Sequence, residues 1–321
     1  MLPPVPLRPH SAQPETVQLR VLTFNTWNTG AHVTNGLAKI AYQVLTLNPD
    51  VVAFQEIETP ATFTSLMGLL GKGWTGVNVS AGYPDSAIAT RHVFENNSCQ
   101  SGPGGYSIGC TILLNGNPDR KVHFWSAHLD YENYGPYAAC NKMVTRAFQI
   151  EAGEYNLDIT TPGRGQNILE LSEFPLFQQH LSQVATTPMF VCGDFNAPSH
   201  LDWTQKAAHL HCDWSFQWPA SFVMNEQLEF KDSYRVLHPD PTVDLGVTWS
   251  TVQKHAAGWG NTIPEPQDRI DYIYYKSNYV TPLDVHPNQG LGTVLPKPYE
   301  GNNDWPSDHF SVVGDFNITY H

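Results

Sequence analysis

The chain has 321 residues, 41% hydrophobic and 12% aromatic, enough for a large buried core and too many for a disordered protein. A formal net charge of −13, with 17 lysines and arginines and no basic run, disfavours avid binding along a nucleic-acid backbone. The opening residues hold no apolar signal core, no stretch is apolar enough to span a membrane, and compartment and oligomeric state stay open.

Residues 1–16 are Pro-rich and read as an extended arm, with 17–321 as one domain undivided by any charged or Ser/Gly-rich linker. From Val17 the pattern alternates and ends at Asn25, which predicts a strand. Leu37, Ile40, Ala41, Val44 and Leu45 then fall at helical spacing, with Thr34 or Asn35 as cap and Asn48-Pro49 as stop. Val51–Phe54 is a short buried strand that delivers Glu56 at its exit. Further strand-like runs occupy Ser86–Thr90, Thr111–Leu114 and Val122–Leu129. Two helices are expected over Pro136–Glu154 and Asn167–Val184, the second with Phe174, Phe177, Leu181 and Val184 on one face. Met189–Phe195 and Ile270–Tyr275 read as strands again. Mixed strands with interspersed helices predict two packed sheets with helices outside.

Five cysteines lack any CxxC spacing, which argues against a zinc site. Cys140 and Cys192 lie in apolar periodic segments and read as buried thiols, while Cys99 and Cys110 flank a Gly-rich loop they are able to bridge. Gly105-Tyr106-Ser107-Ile108-Gly109 spells the nucleophile elbow of a serine hydrolase, but that turn needs a strand before it and a helix after it. Here a loop precedes and a strand follows, so the match reads as accidental.

Chemistry concentrates at the ends of the strand-like runs. The segments are Phe24-Asn25-Thr26-Trp27, Phe54-Gln55-Glu56, Ser126-Ala127-His128-Leu129-Asp130, Gly193-Asp194-Phe195-Asn196, Arg269-Ile270-Asp271-Tyr272 and Trp305-Pro306-Ser307-Asp308-His309-Phe310. Hard oxygen ligands beside two histidines are what metal-assisted attack on a phosphoester needs. Within a strand, His128 and Asp130 share parity, as do Asp194 and Asn196, so each pair projects to one face.

In this order the segments resemble the endonuclease/exonuclease/phosphatase superfamily, the DNase I-like metal-dependent phosphoesterases, from about Val17 to Phe316. Ser86–Arg91, Lys231–Arg235 and Gly246–Trp249 resemble its framework segments. The resemblance implies a four-layer α/β/β/α sandwich and a Mg²⁺-dependent enzyme, with Mn²⁺ as a possible substitute. It implies Glu56 as principal metal ligand, Asn25 as a second or water-mediated one, and Asp308 both as a ligand and as the carboxylate paired with His309. Asp194 then activates or orients the attacking water, Asn196 holds a phosphoryl oxygen or that water, and His128 stabilises charge on the phosphoryl oxygens or leaving group. Asp271 orients the set, and His309 serves as base or as phosphate-binding cation.

A second Gly314-Asp315-Phe316-Asn317 copy lies about 20 Å beyond His309 if the intervening run is a strand, so it is assigned to structure. No role transfers to Asp130, Tyr131 or Trp27. Trp203, Trp214 and Trp218 read as core more readily than as a substrate-facing rim. The charge favours a small phosphoester or lipid headgroup over DNA or RNA. A nuclease of the same superfamily is the alternative, with a Ser107 hydrolase and a non-catalytic binding protein behind it.

Overall fold

The computed structural model describes residues 14–155, 162–256, 260 and 262–320. Most of the expected Pro-rich arm falls outside that range. Its last residues, Glu15 and Thr16, already pair with Tyr320 and Thr319.

Among the described residues thirteen strands build two sheets. They are β1 (Glu15–Asn25), β2 (Val51–Ile57), β3 (Thr75–Asn78), β4 (Asp85–Thr90), β5 (Val93–Phe94), β6 (Gln100–Ser101) and β7 (Ser107–Leu113). The others are β8 (Lys121–His128), β9 (Met189–Asp194), β10 (Lys231–Asp232), β11 (Asp271–Lys276), β12 (Val280–Asn288) and β13 (Ser311–Tyr320). One sheet runs β12-β13-β1-β2-β4-β3; the other runs β10-β11-β9-β8-β7-β5, with β6 added on β7. Both are mixed: β1 and β2 pair in parallel, as do β8 and β9.

Strand parity explains the layering. Leu19, Val21, Val51, Ala53 and Ile88 of the first sheet pack against Phe124, Phe190, Cys192 and Ile273 of the second, forming the central core. Leu22, Phe24, Val52 and Phe54 point the other way, onto Ile40 and Val44 of helix Gly36–Leu47 and Phe63 and Leu66 of helix Pro60–Leu70. Trp125, Val191 and Tyr274 likewise meet Ile168, Leu171 and Phe177 of helices Arg164–Glu173 and Pro175–Ser182. The result is the four-layer α/β/β/α sandwich. No helix among the described residues is long and apolar enough to cross a membrane.

Several expectations need correction. The helix expected over Asn167–Val184 is two helices, because Pro175 lacks an N–H and forces Phe174 out of helical geometry, to ψ 132°. The helix expected over Pro136–Glu154 is also split, into Gly135–Cys140 and Ala147–Tyr155. Cys140 is not a thiol but bonds Cys212, 72 residues away, while Cys99 bonds Cys110 and Cys192 is free and buried. Other expectations hold: Ser107 lies buried at the start of β7 opposite Ala127, with strand and not helix directly after it, so the serine-hydrolase elbow is not formed. Trp203 and Trp218 sit in a buried cluster with Phe216, not on a rim. Asp315 accepts two hydrogen bonds from Arg20 in the middle of the β1–β13 ladder.

Candidate active site

The residues that face the central core end, at one edge, in the polar residues of the strand termini. Asn25 continues the inward parity of Leu19 and Val21, and His128 that of Phe124. Asp194 follows Phe190 and Cys192, and Asp271 precedes Ile273 and Tyr275. Glu56 breaks this rule. By parity it belongs with Phe54 on the outer face, but the β2–β4 register shifts between Phe54 and Ile57, and Glu56 takes φ +59°. That bulge re-aims the carboxylate toward the cavity. Gly193 allows β8 and β9 to approach, since a Cβ there would stand 1.8 Å from the Ala127 carbonyl oxygen.

Asn25 organises the acidic group. Its Nδ2 donates to Asp194 Oδ2 at 2.9 Å and Glu56 Oε1 at 3.2 Å, while its Oδ1 accepts from Trp27 N–H. Glu56 Oε2 accepts from Asn28 N–H at 2.8 Å. Asp194 Oδ1 accepts from the Asn196 N–H at 2.8 Å, the Asx turn expected of Gly-Asp-x-Asn, so turn and site are the same object here. Asn196 Nδ2 contacts His128 Nε2 at 3.0 Å and donates to Leu129 O.

Both histidines converge on Asp194 Oδ2, each with Nε2 at 3.5 Å. His128 Nδ1 lies 2.8 Å from Asp85, and His309 Nδ1 lies 2.9 Å from Asp271. The expected Asp308–His309 pairing is therefore corrected: the imidazole's carboxylate is Asp271. Arg269 leaves Asp271 free for this role because it binds Asp202 and Asp232 instead. Burial alone would lower the pKa of His128, but Asp85 with Asp194 outweighs it and raises it to about 10. Burial opposes protonation of His309 too, and Asp271 with Asp194 overcomes it, holding the pKa well above the ordinary value. For Asp271, burial raises the pKa to about 6 against the pull of His309.

Asp308 has a different environment. Burial, with Glu56 nearby, lifts its pKa to about 7, against the lowering effect of His309. Its Oδ1 is buried and has no hydrogen-bond partner among the described residues. An orphaned carboxylate oxygen on a residue that shares a cavity with Glu56 matches the donor set of a hard divalent cation. Asp194, Asp271 and His309 also bring ligand atoms within 4.8 Å of one another, but His309 and Asp271 are already bonded together.

The segment around Asp308 is fastened at several points. Ser307 Oγ donates to Asn25 O at 2.7 Å, Trp305 Nε1 donates to His309 O, and Trp305 stacks on Phe24 with ring centroids 5.0 Å apart. The framework segments also reach the site. Thr248 Oγ1 accepts from the Ile270 and Asp271 N–H groups, and Trp249 lies 4.8 Å from the His309 ring. Asp85 escaped the sequence reading although it directly precedes the Ser86–Thr90 strand.

Two cavities adjoin these groups. One of about 300 Å³ is lined by Glu56, His128, Asp194, Asn196, Asp308 and His309, with Tyr131, Tyr134, Tyr137 and Trp249 among its other walls. A wider one of about 730 Å³ shares Glu56 and His128 and adds Asp85, Asp130 and Tyr106. Asp130 lies beyond the end of β8 and lines only the wider cavity.

Buried carboxylates and two imidazoles gathered where two packed mixed sheets end define a DNase I-like phosphoester hydrolase. The chain belongs to the Endonuclease/Exonuclease/phosphatase family, whose description matches residues 22–309. Protein F14F9.5 of Caenorhabditis elegans is 44% identical over 298 residues, covering 93% of this chain and 91% of that protein. Among solved structures, the catalytic domain of human Nocturnin with bound sulfate aligns at TM-score 0.55 and 17% identity, over 95% of this chain and 97% of that one. D. rerio TDP2 complexed with a single-strand DNA product aligns at TM-score 0.55 and 16% identity, over 93% and 98%. At such identities these structures share the fold.

Proposed function

We propose that the chain is a Mg²⁺-dependent phosphoesterase that hydrolyses a small phosphate-bearing molecule or lipid headgroup by attack of water. The unpartnered Asp308 Oδ1 beside Glu56 carries the reading, because these two carboxylates would hold the metal, with Asn25 joining through water or positioning Glu56 by its amide. When bound, Mg²⁺ would polarise the phosphoryl oxygen and stabilise developing negative charge.

The protein's own groups divide the remaining work. Asp194, fixed by Asn25 and the Asn196 N–H, orients the attacking water. His128 and His309 face the same point from opposite carboxylate supports, Asp85 and Asp271. His309 presents an Nε2–H donor to the phosphoryl oxygens, and His128 would do so once substrate displaces the Asn196 amide from its Nε2. Asn196 holds a phosphoryl oxygen. Asp271 positions His309 without touching substrate.

The small substrate is favoured by charge: among the described residues neither cavity is lined by lysine or arginine. Hydrolysis of model mono- and diesters, phospholipids and DNA with Mg²⁺ across ~50–300 mM salt tests this. The expected result is a preference for small esters with kcat/KM nearly independent of salt. A nuclease gripping duplex DNA would instead lose affinity by about 0.9 log unit per phosphate contacted for each decade of salt. That result, with DNA preferred, would replace the reading by the one suggested by the DNA-bound structural neighbour.

A further inference from the structure

We propose that Asn96 carries an N-linked glycan and that the chain folds in a compartment where thiols are oxidised. Two independent observations lead there. Four of the five cysteines are paired, as Cys99–Cys110 and Cys140–Cys212, and the fifth, Cys192, is a buried thiol. Disulfides form and persist in oxidising compartments and are rare where glutathione and thioredoxin keep thiols reduced. Cys212 is exposed, so burial does not protect the second bridge from a reductant. Each bridge forms as two thiols pass two electrons and two protons to a disulfide-bearing oxidant. In a secretory compartment of that kind, Asn-x-Ser/Thr triplets in which x is not proline are the acceptors for N-glycosylation.

Such triplets occur at Asn78-Val79-Ser80, Asn96-Asn97-Ser98 and Asn317-Ile318-Thr319, and the fold separates them. Asn317 lies within β13, paired with Gln18 of β1 on one side and Thr281 of β12 on the other, and its Oδ1 is buried. Asn78 ends β3, is half-buried, and its Nδ2 donates to Val79 O at 2.8 Å. Asn96 differs from both. It is the first central residue of a turn closed by the Ser98 N–H donating to Glu95 O at 3.2 Å, and Asn96 and Asn97 are both exposed. Asn97 takes φ +57°, which asparagine tolerates at the second central position of a turn. The turn follows β5, the outermost strand on its side of the sheet. The Glu95 N–H donates to Thr111 O, four residues along β7 from Ser107, whose partner Ala127 adjoins His128. That is about 13 Å of strand, and residues 93–98 line neither catalytic cavity.

Ser98 sets the order of events. Its Oγ donates to Glu95 O at 2.8 Å and accepts from the Thr111 N–H at 3.1 Å, so the triplet's hydroxyl is engaged once the chain has folded. Glycan transfer therefore precedes closure of this turn. The donor is an oligosaccharide linked to a polyprenyl diphosphate. A bond forms between Asn96 Nδ2 and the anomeric carbon, the anomeric C–O bond breaks, polyprenyl diphosphate leaves, and the amide gives up one N–H proton.

The test takes the protein from its native source. Free thiols are alkylated in denaturant without reduction, and the digest is treated with peptide N-glycosidase in heavy-oxygen water, which converts a glycosylated asparagine to labelled aspartate. The expected result is label at Asn96, none at Asn317, and alkylation confined to Cys192. Alkylation of all five cysteines would overturn the oxidising compartment and the glycan with it. Bridged cysteines with Asn96 unlabelled would overturn the glycan, whether or not Asn78 or Asn317 is labelled. Asn96→Gln, expressed in the same cells, should lose the glycosidase-sensitive mass found in the wild type. Retention of that mass in full would overturn the assignment to Asn96.

Discussion

Asp194 and Asp315 carry the same four-letter motif and should behave differently when each is changed to asparagine. Asp194 receives Asn25 and stands 3.5 Å from both imidazoles, whereas Asp315 receives Arg20 on a central strand pair. Asp194→Asn should lower kcat on the order of 10²–10⁴-fold with folding intact, the usual scale for proton-transfer catalysis. Asp315→Asn should leave kcat within a few-fold while lowering the melting temperature. Equal kinetic losses at the two positions would remove Asp194 from the proposed water-orienting role. At this scale, strand parity placed His128 and Asp194 on inward faces from sequence, whereas Asn25 entered only through the family resemblance. The Glu56 bulge was not legible, because a positive φ at a glutamate leaves no compositional mark. The partner of His309 was misread for a physical reason: nearness in sequence suggested Asp308, but the Nδ1 bond comes from Asp271 on β11, 38 residues away in sequence, and only the fold brings the two together.

Elements show the same division between pattern and context. The paired-sheet core and the helices over its outer faces followed from alternation and helical spacing, while the break at Phe174–Pro175 followed from a proline that the periodicity masked. Helix Pro175–Ser182 also buries His180 against His123 of β8, rings stacked with centroids 3.8 Å apart. One tautomer chain satisfies every group. Trp125 Nε1 donates to His180 Nδ1, His180 Nε2 to Thr111 Oγ1, Thr111 Oγ1 to His123 Nδ1, and His123 Nε2 to Gln183 Oε1. Protonating either ring sets donor against donor. Burial holds His123 at about 4 and His180 at about 3, both below the ordinary value near 6.5. Because both folded-state values are depressed, the neutral pair's contribution is complete above pH ~6.5 and is lost as pH falls toward 4. The melting temperature should decline across that window, and His180→Leu should flatten the decline while costing stability at pH 8. An unchanged slope in the variant would show that the pair does not titrate with unfolding.

Across the whole molecule, family and layer order were readable because six strand-end segments occur in a fixed order over nearly the full chain. The Cys140–Cys212 bridge was not, since connectivity depends on a fold that brings residues 72 apart together. The proposed substrate class rests on charge alone, and among the described residues the walls of the two cavities carry acids and aromatic rings. Everything proposed for the site depends on a divalent cation held by Glu56 and Asp308. The most direct measurement is turnover of a small phosphodiester after exhaustive chelation and then on return of Mg²⁺, for the wild type and Glu56→Gln. Chelation should abolish wild-type turnover and Mg²⁺ should restore it, with Glu56→Gln strongly impaired and recovering in part as Mg²⁺ is raised. Full activity in the metal-free enzyme would contradict the account.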